Sequence, residues 1–270
     1  MLGKLIKHEF KNTWMAMVLI YAITIFLGIS GSIFFGILNS CDFLTEPWRE
    51  FWNMAGFLGA VAALSALNMI VIIFLVVHYY RNLYSSQGYL SFTLPATATK
   101  VVSSRIIVSC IWILLFYVSV FISFTSAMLL MSQFPAFSDF CRAMREFFDE
   151  LIKSSSSAIF IRNFTLAIFA TMLSIIANLM QYFFCISIGQ LWHKNKILGS
   201  VLCYLGTSIV LGVVIGFINF GSLLLTSFNG TESPNFFFYY MLKNALYSSV
   251  LILIFYFTSV FIANKKLNLD

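Results

Sequence analysis

The sequence predicts an all-α, polytopic membrane protein with six transmembrane helices, an N-terminal amphipathic interfacial helix and both termini in the cytoplasm. Three observations carry that prediction. Hydrophobic residues are 60% of the 270 and charged ones only 10%, where a soluble domain has about 25% charged. The mean hydropathy is +0.93. The few charges are also spaced so that they bracket six long apolar runs, which leaves too little polar surface to face water on all sides.

The first element is the opening, residues 1–13. Leu2, Leu5, Ile6 and Phe10 fall on one helical stripe and Lys4, Lys7 and Lys11 on another, the pattern of a helix lying at the membrane surface. A plain basic flank that fixes orientation is the simpler alternative. The spans follow at roughly 14–38, 53–77, 106–131, 164–190, 198–223 and 245–263. About 20 residues at 1.5 Å each cross a ~30 Å hydrocarbon core, and strands of a membrane barrel would instead be short and alternate in polarity. The first span is too long for a signal-peptide core of roughly 7–15 residues and has no A-x-A-like site, so it reads as an uncleaved helix. The run ahead of Glu232 exceeds one span, and 217–228 is read as short re-entrant pieces.

Orientation follows from lysine and arginine counts in the connections. With the N-terminus inside, the cytoplasmic pieces carry ten of the 16 basic residues (Lys4, Lys7, Lys11, Arg81, Lys100, Arg105, Lys194, Lys196, Lys265, Lys266) against Glu9 and Asp270. The opposite side carries the other six and eight acidic residues. The net charge of +6 then reflects topology and anionic lipid rather than nucleic-acid binding.

Chemistry-bearing constellations are absent from the sequence. No ionisable residue sits deep in a predicted span, where it would mark a proton or ion pathway. His8-Glu9 lacks the second histidine of H-E-x-x-H because Asn12 stands there, and no G-x-x-x-x-G-K-[ST] occurs,. The expectation is a chain that is not an enzyme and binds no metal or cofactor of its own, so that uphill movement draws its energy from a partner. Interior polarity is confined to Asn68, Asn178, Gln181, Asn219 and scattered hydroxyls. These four either line a substrate path or join neighbouring helices. Ser208, Gly212 and Gly216, and Gly56 with Ala60, form small-residue faces suited equally to close helix packing within the chain or to a subunit interface. Of the five cysteines, Cys110, Cys185 and Cys203 read as small apolar residues, while Cys41 and Cys141 fall in outer segments where pairing stays open. Asn229-Gly230-Thr231 fits a glycosylation sequon or a simple surface turn.

Two connections stand out. Residues 78–105 form a long cytoplasmic segment in which four tyrosines and Leu83, Leu90, Phe92 and Leu94 are interleaved with polar groups. Gly88 permits a sharp turn and Pro95 halts any helix, leaving a short helical piece at 82–87. Such a surface suits a docked cytosolic protein. On the other side, 139–157 holds an amphipathic stretch followed by four serines, either an interfacial anchor or a lid.

The opening Lys4-x-x-Lys7-His8-Glu9-Phe10-Lys11 and the stretch Tyr80-Arg81-Asn82-Leu83-Tyr84-Ser85-x-x-Gly88-Tyr89-Leu90-x-Phe92-Thr93-Leu94-Pro95 resemble ABC-2-type transporter permeases of Gram-positive bacteria. The resemblance implies a plasma-membrane exporter subunit paired with a second permease chain, identical or paralogous. It also implies a separate cytosolic ATP-binding cassette subunit that holds ATP and Mg. Carried over, it assigns contact with that ATPase to Lys4, Lys7, His8, Glu9 and Phe10, and to Tyr84, Ser85, Ser86, Gln87, Gly88 and Tyr89. Relatives often place an acidic residue just before the Gly-Tyr-Leu, where this chain has Ser86-Gln87, leaving a hydrogen-bonded or apolar contact at that point. The implied cargo is amphipathic or hydrophobic: an antimicrobial peptide, a lipid or a drug. The alternative from another class is a non-transporting membrane scaffold or sensor that holds a cytosolic partner through the same segment.

Overall fold

The computed structural model describes residues 2–40, 45–84, 97–131, 142, 145, 146, 149, 157–192, 195–229 and 236–265. Six long helices account for nearly all of them: α1 (Leu2–Ser40), α2 (Glu46–Tyr84), α3 (Ala98–Met131), α4 (Ser157–Gly189), α5 (Lys196–Asn229) and α6 (Phe236–Lys265). All six are long and apolar enough to cross a membrane, as the hydropathy pattern predicts. Their surfaces agree. Isoleucine, valine and phenylalanine stand fully outward along every helix, Phe217 and Ile197 among them, which is tolerable where the surrounding solvent is hydrocarbon and ruinous in water.

The helices exceed the spans read from the sequence. At 39 residues, α1 and α2 are each about 58 Å long, nearly twice the hydrocarbon thickness. Residues 2–13 are the first turns of α1 rather than a separate surface helix. No proline interrupts them, and the Thr13 hydroxyl bonds back to the Glu9 carbonyl at 3.0 Å without breaking the ladder,. Much of 78–105 is also helical: α2 runs on to Tyr84 and α3 starts at Ala98. The helix α5 continues unbroken through 217–228 to Asn229, replacing the re-entrant pieces expected there.

Caps fix the starts. The Thr45 carbonyl accepts from the amides of Trp48 and Arg49 at 3.0 and 3.1 Å, with Pro47 in the first turn of α2,. Thr97 receives Lys100 and Val101 in the same way, and Asn195 receives Gly199. The end of α4 tightens into shorter turns: Leu191 donates to Ile188 and Trp192 to Gly189,. Span hydroxyls are mostly satisfied within their own helices, as when Thr24 bonds the Ile20 carbonyl at 2.8 Å and Ser119 that of Phe116 at 2.7 Å,.

The chain forms two compact units. One comprises Met1–Ile6, Val76–Cys110 and Ile161–Asp270; the other comprises Lys7–Leu75 and Ile111–Phe160. In the second unit, α1 and α3 are locked around Trp112. Its indole nitrogen donates to Thr13 at 2.8 Å, its carbonyl accepts from Tyr21 at 2.7 Å, and Phe10 stacks on its ring at 4.2 Å. Further along the pair, Ser123 donates to the Thr24 carbonyl at 3.1 Å. A Cβ on Gly28 would lie 2.0 Å from the Ser123 hydroxyl, so only glycine admits this approach.

Candidate functional site

In the first unit, the two ends of the 78–105 segment are fastened to the helices around them. The last turn of α2 supplies Tyr79, Asn82, Leu83 and Tyr84. Leu83 is fully enclosed, and so are Val101 and Val102 in the first turns of α3. The Tyr79 ring stacks on Phe183 of α4 with centroids 4.2 Å apart and planes 17° from parallel, and Tyr84 meets Tyr79 edge-on. The Tyr84 hydroxyl donates to Ser187 of α4 at 2.9 Å. Arg105 of α3, only 6% exposed, donates from Nη1 to the Asn82 carbonyl. That carbonyl belongs to the final turn of α2, where backbone acceptors lack intrahelical donors and the helix end carries partial negative charge. A cation placed there is favourable on both counts. Ser103 reaches α6 through Tyr256, hydroxyl to hydroxyl at 2.8 Å. His78 and Asn82, one turn apart on α2, are paired at 2.9 Å.

These contacts bind the end of α2 and the start of α3 to α4 and α6. Ser85, Ser86, Gln87, Gly88 and Tyr89 lie outside the described residues, as do Cys41, Cys141 and His193. Tyr84 is the member of that set whose surroundings are defined.

The five N-terminal candidates separate by exposure. Lys4, Lys7 and His8 are exposed, Phe10 is half-buried against Trp112, and Glu9 is buried. The outward face of this end of α1 is therefore cationic.

The four interior polar candidates have separate surroundings, each within its own unit. Gln181 is buried and donates to Thr207 at 3.2 Å and Ser208 at 3.1 Å, joining α4 to α5. Asn178, three residues earlier on α4, is exposed. Asn219 accepts from Lys243 of α6 at 2.8 Å, and that ammonium also stands 4.8 Å from the centre of the Tyr240 ring. Asn68 accepts from Tyr117 at a long 3.5 Å. Gln181 and Asn219 thus act as bridges between helices.

Sequence reasoning missed Arg105, Phe183, Ser187 and Tyr256. A signal existed for Arg105: it is the charge directly before a long apolar run, within reach of the previous helix end. The other three are ordinary span residues by type. Among the described residues, no three His, Cys, Asp or Glu side chains gather in a metal-binding group. Comparison with family models, with curated proteins and with solved structures returns no match. The class defined so far is a multi-pass, six-helix membrane-type protein with a pinned α2–α3 junction.

Proposed function

We propose that this protein is the membrane-spanning permease subunit of an ATP-driven exporter in a bacterial plasma membrane. It works with a second permease chain and a separate cytosolic ATP-binding cassette subunit. The observation that carries the reading is the coincidence of two features at one place. The residues resembling the ABC-2 permease loop, 80–95, connect the two helix ends that Tyr84, Ser187, Arg105 and Asn82 tie to the rest of the first unit.

In this reading both termini are cytoplasmic, as the positive-inside rule favours. The ATPase docks on the segment between α2 and α3, and on Lys4, Lys7 and His8 of the amphipathic start of α1. ATP and Mg are held by the partner, and this chain carries out no covalent chemistry. Closure of the ATPase pulls on the segment, and the α2–α3 junction passes that motion to α4 and α6, switching access from inside to outside. The cargo is amphipathic or hydrophobic, in keeping with the aromatic and aliphatic composition of the spans.

The docking assignment has a local test. Gly88→Asp combined with Tyr89→Asp places two carboxylates in a surface read as apolar and hydrogen-bonding. The double variant is expected to insert in the membrane normally and to lose its ATPase partner on co-purification. Undiminished recovery of the partner would remove the segment from the docking surface.

A further inference from the structure

The second unit contains a cleft of about 910 Å³ between α1, α2 and α3, a volume in the upper part of the range for small-molecule sites. Its walls are overwhelmingly apolar, with Phe35, Phe57, Phe121 and Phe124 the largest contributors. It is open at the side. Phe57 and Phe121 are about two-thirds exposed, on helices with many exposed aliphatic and aromatic side chains, so the medium at the opening of a membrane-spanning chain is hydrocarbon rather than water. Gly31 lies in the lining, and a Cβ added there would meet no atom within 4 Å. The space is unfilled by the side chains of the described residues.

The cleft has a depth and a polar end. Along α2 it extends from Asn53 to Leu64, about 16 Å at 1.5 Å per residue, which is half of a ~30 Å core and thus a single leaflet. At the Asn53 end, the preceding turn of α2 carries Trp48 and Trp52, both well exposed. Exposed tryptophans mark the level of the headgroups. Arg49 stands one turn before Asn53 on the same helical face, at the level of these tryptophans,.

From this we infer that the cleft is a binding site for one membrane phospholipid, with its acyl chain along Phe57, Val61 and Phe121 and its phosphate at the level of Asn53 and Arg49. The inference rests on the six-helix membrane character alone and is independent of the exporter reading. A leaflet-deep slot walled mainly by aliphatic and aromatic groups, with Asn53 at its interfacial end and its other polar groups, Ser32, Tyr117 and Ser123, bonded to the helices themselves, matches an amphiphile of that length. A neighbouring transmembrane helix would span about twice that depth.

The test uses the full chain in nanodiscs, with a phosphatidylglycerol carrying a photoactivatable group on its acyl chain as the probe. Adducts are expected to concentrate on Phe57, Val61 and Phe121 rather than on the equally exposed Ile209 and Val213 of α5. Gly31→Leu and Ala60→Phe fill the slot from two different helices. Each is expected to reduce the cleft adducts about fivefold or more while leaving those on α5 unchanged. Equal labelling of the cleft and α5, or labelling indifferent to both substitutions, would show ordinary annular lipid and overturn the site. Efficient chain-to-chain crosslinking through Val61→Cys that excludes the probe would overturn it in favour of a second copy.

Discussion

Arg105→Leu is expected to destabilise the protein by about 2 kcal/mol, the scale of a lost hydrogen bond from a charged donor. The size follows from where the guanidinium sits. It is almost wholly enclosed and donates to the Asn82 carbonyl in the last turn of α2. In that turn the helix has no amide to offer, and low polarity strengthens every electrostatic contact. Leucine removes the cation together with its desolvation cost, so the loss is smaller than for a variant that strands a buried charge. Arg105→Lys retains the charge but not the planar fork, and should recover part of the difference. Tyr84→Phe, which removes a neutral bond to Ser187, should cost about 1 kcal/mol. Thermal unfolding of the detergent-solubilised variants ranks the three. An Arg105→Leu variant as stable as Tyr84→Phe would show that the α2 end does not depend on the cation.

Gly189→Ala is expected to cost more, about 3 kcal/mol, through overpacking at the α4–α5 turn. A Cβ there would stand 1.9 Å from the Ser200 hydroxyl, 2.6 Å from the Ser200 backbone nitrogen and 2.8 Å from its Cα. The hydroxyl can rotate away, but the backbone atoms belong to the first turn of α5 and move only if the whole helix moves. Removal of the hydroxyl in Ser200→Ala should therefore fail to rescue Gly189→Ala. The readout is the melting temperature of single and double variants, with folded yield as a second measure. Full rescue by Ser200→Ala would place the conflict in the side chain alone and show that the helix pair tolerates a wider separation.

The centres of the six helices were legible because charge is excluded from them, and each span read from the sequence lies within an observed helix but for single end residues such as Gln190. The ends were not, because a helix that leaves the membrane becomes polar without ceasing to be helical. Hydropathy ends the second span at 77, short of the charge at Arg81, yet α2 continues to Tyr84. Lys100 and Arg105 delayed the third, yet Thr97 caps α3 eight residues before Arg105. Close helix approach was legible in part. Gly56 of the α2 face is a tight contact, a Cβ there standing 2.6 Å from the Phe35 ring. The α5 face instead meets open space at Gly212 and Gly216, and the tight contacts at Gly28 and Gly189 lie outside both small-residue faces. Composition announces which residues permit such contact, while the crossing point depends on the partner helix.

The candidate site divides along the same line. Tyr84 and the exposed cations of α1 belong to motifs that read directly from the chain. The Arg105 bond to Asn82 spans 23 residues and the Tyr84 bond to Ser187 spans 103, so both depend on how the helices pack. Asn178 and Gln181 share a helical face by spacing, but the small angle between them is enough to put Gln181 against Thr207 and leave Asn178 exposed.

The central claim, that this chain is the permease of an ATP-driven exporter, is tested most directly by affinity purification from native membranes into nanodiscs. The co-purifying proteins would be identified and vanadate-sensitive ATP hydrolysis measured. A stoichiometric ATP-binding cassette subunit with vanadate-sensitive activity is the predicted result. A chain recovered without any ATPase, in nanodiscs and in mild detergent alike, would contradict the exporter reading and leave a membrane scaffold in its place.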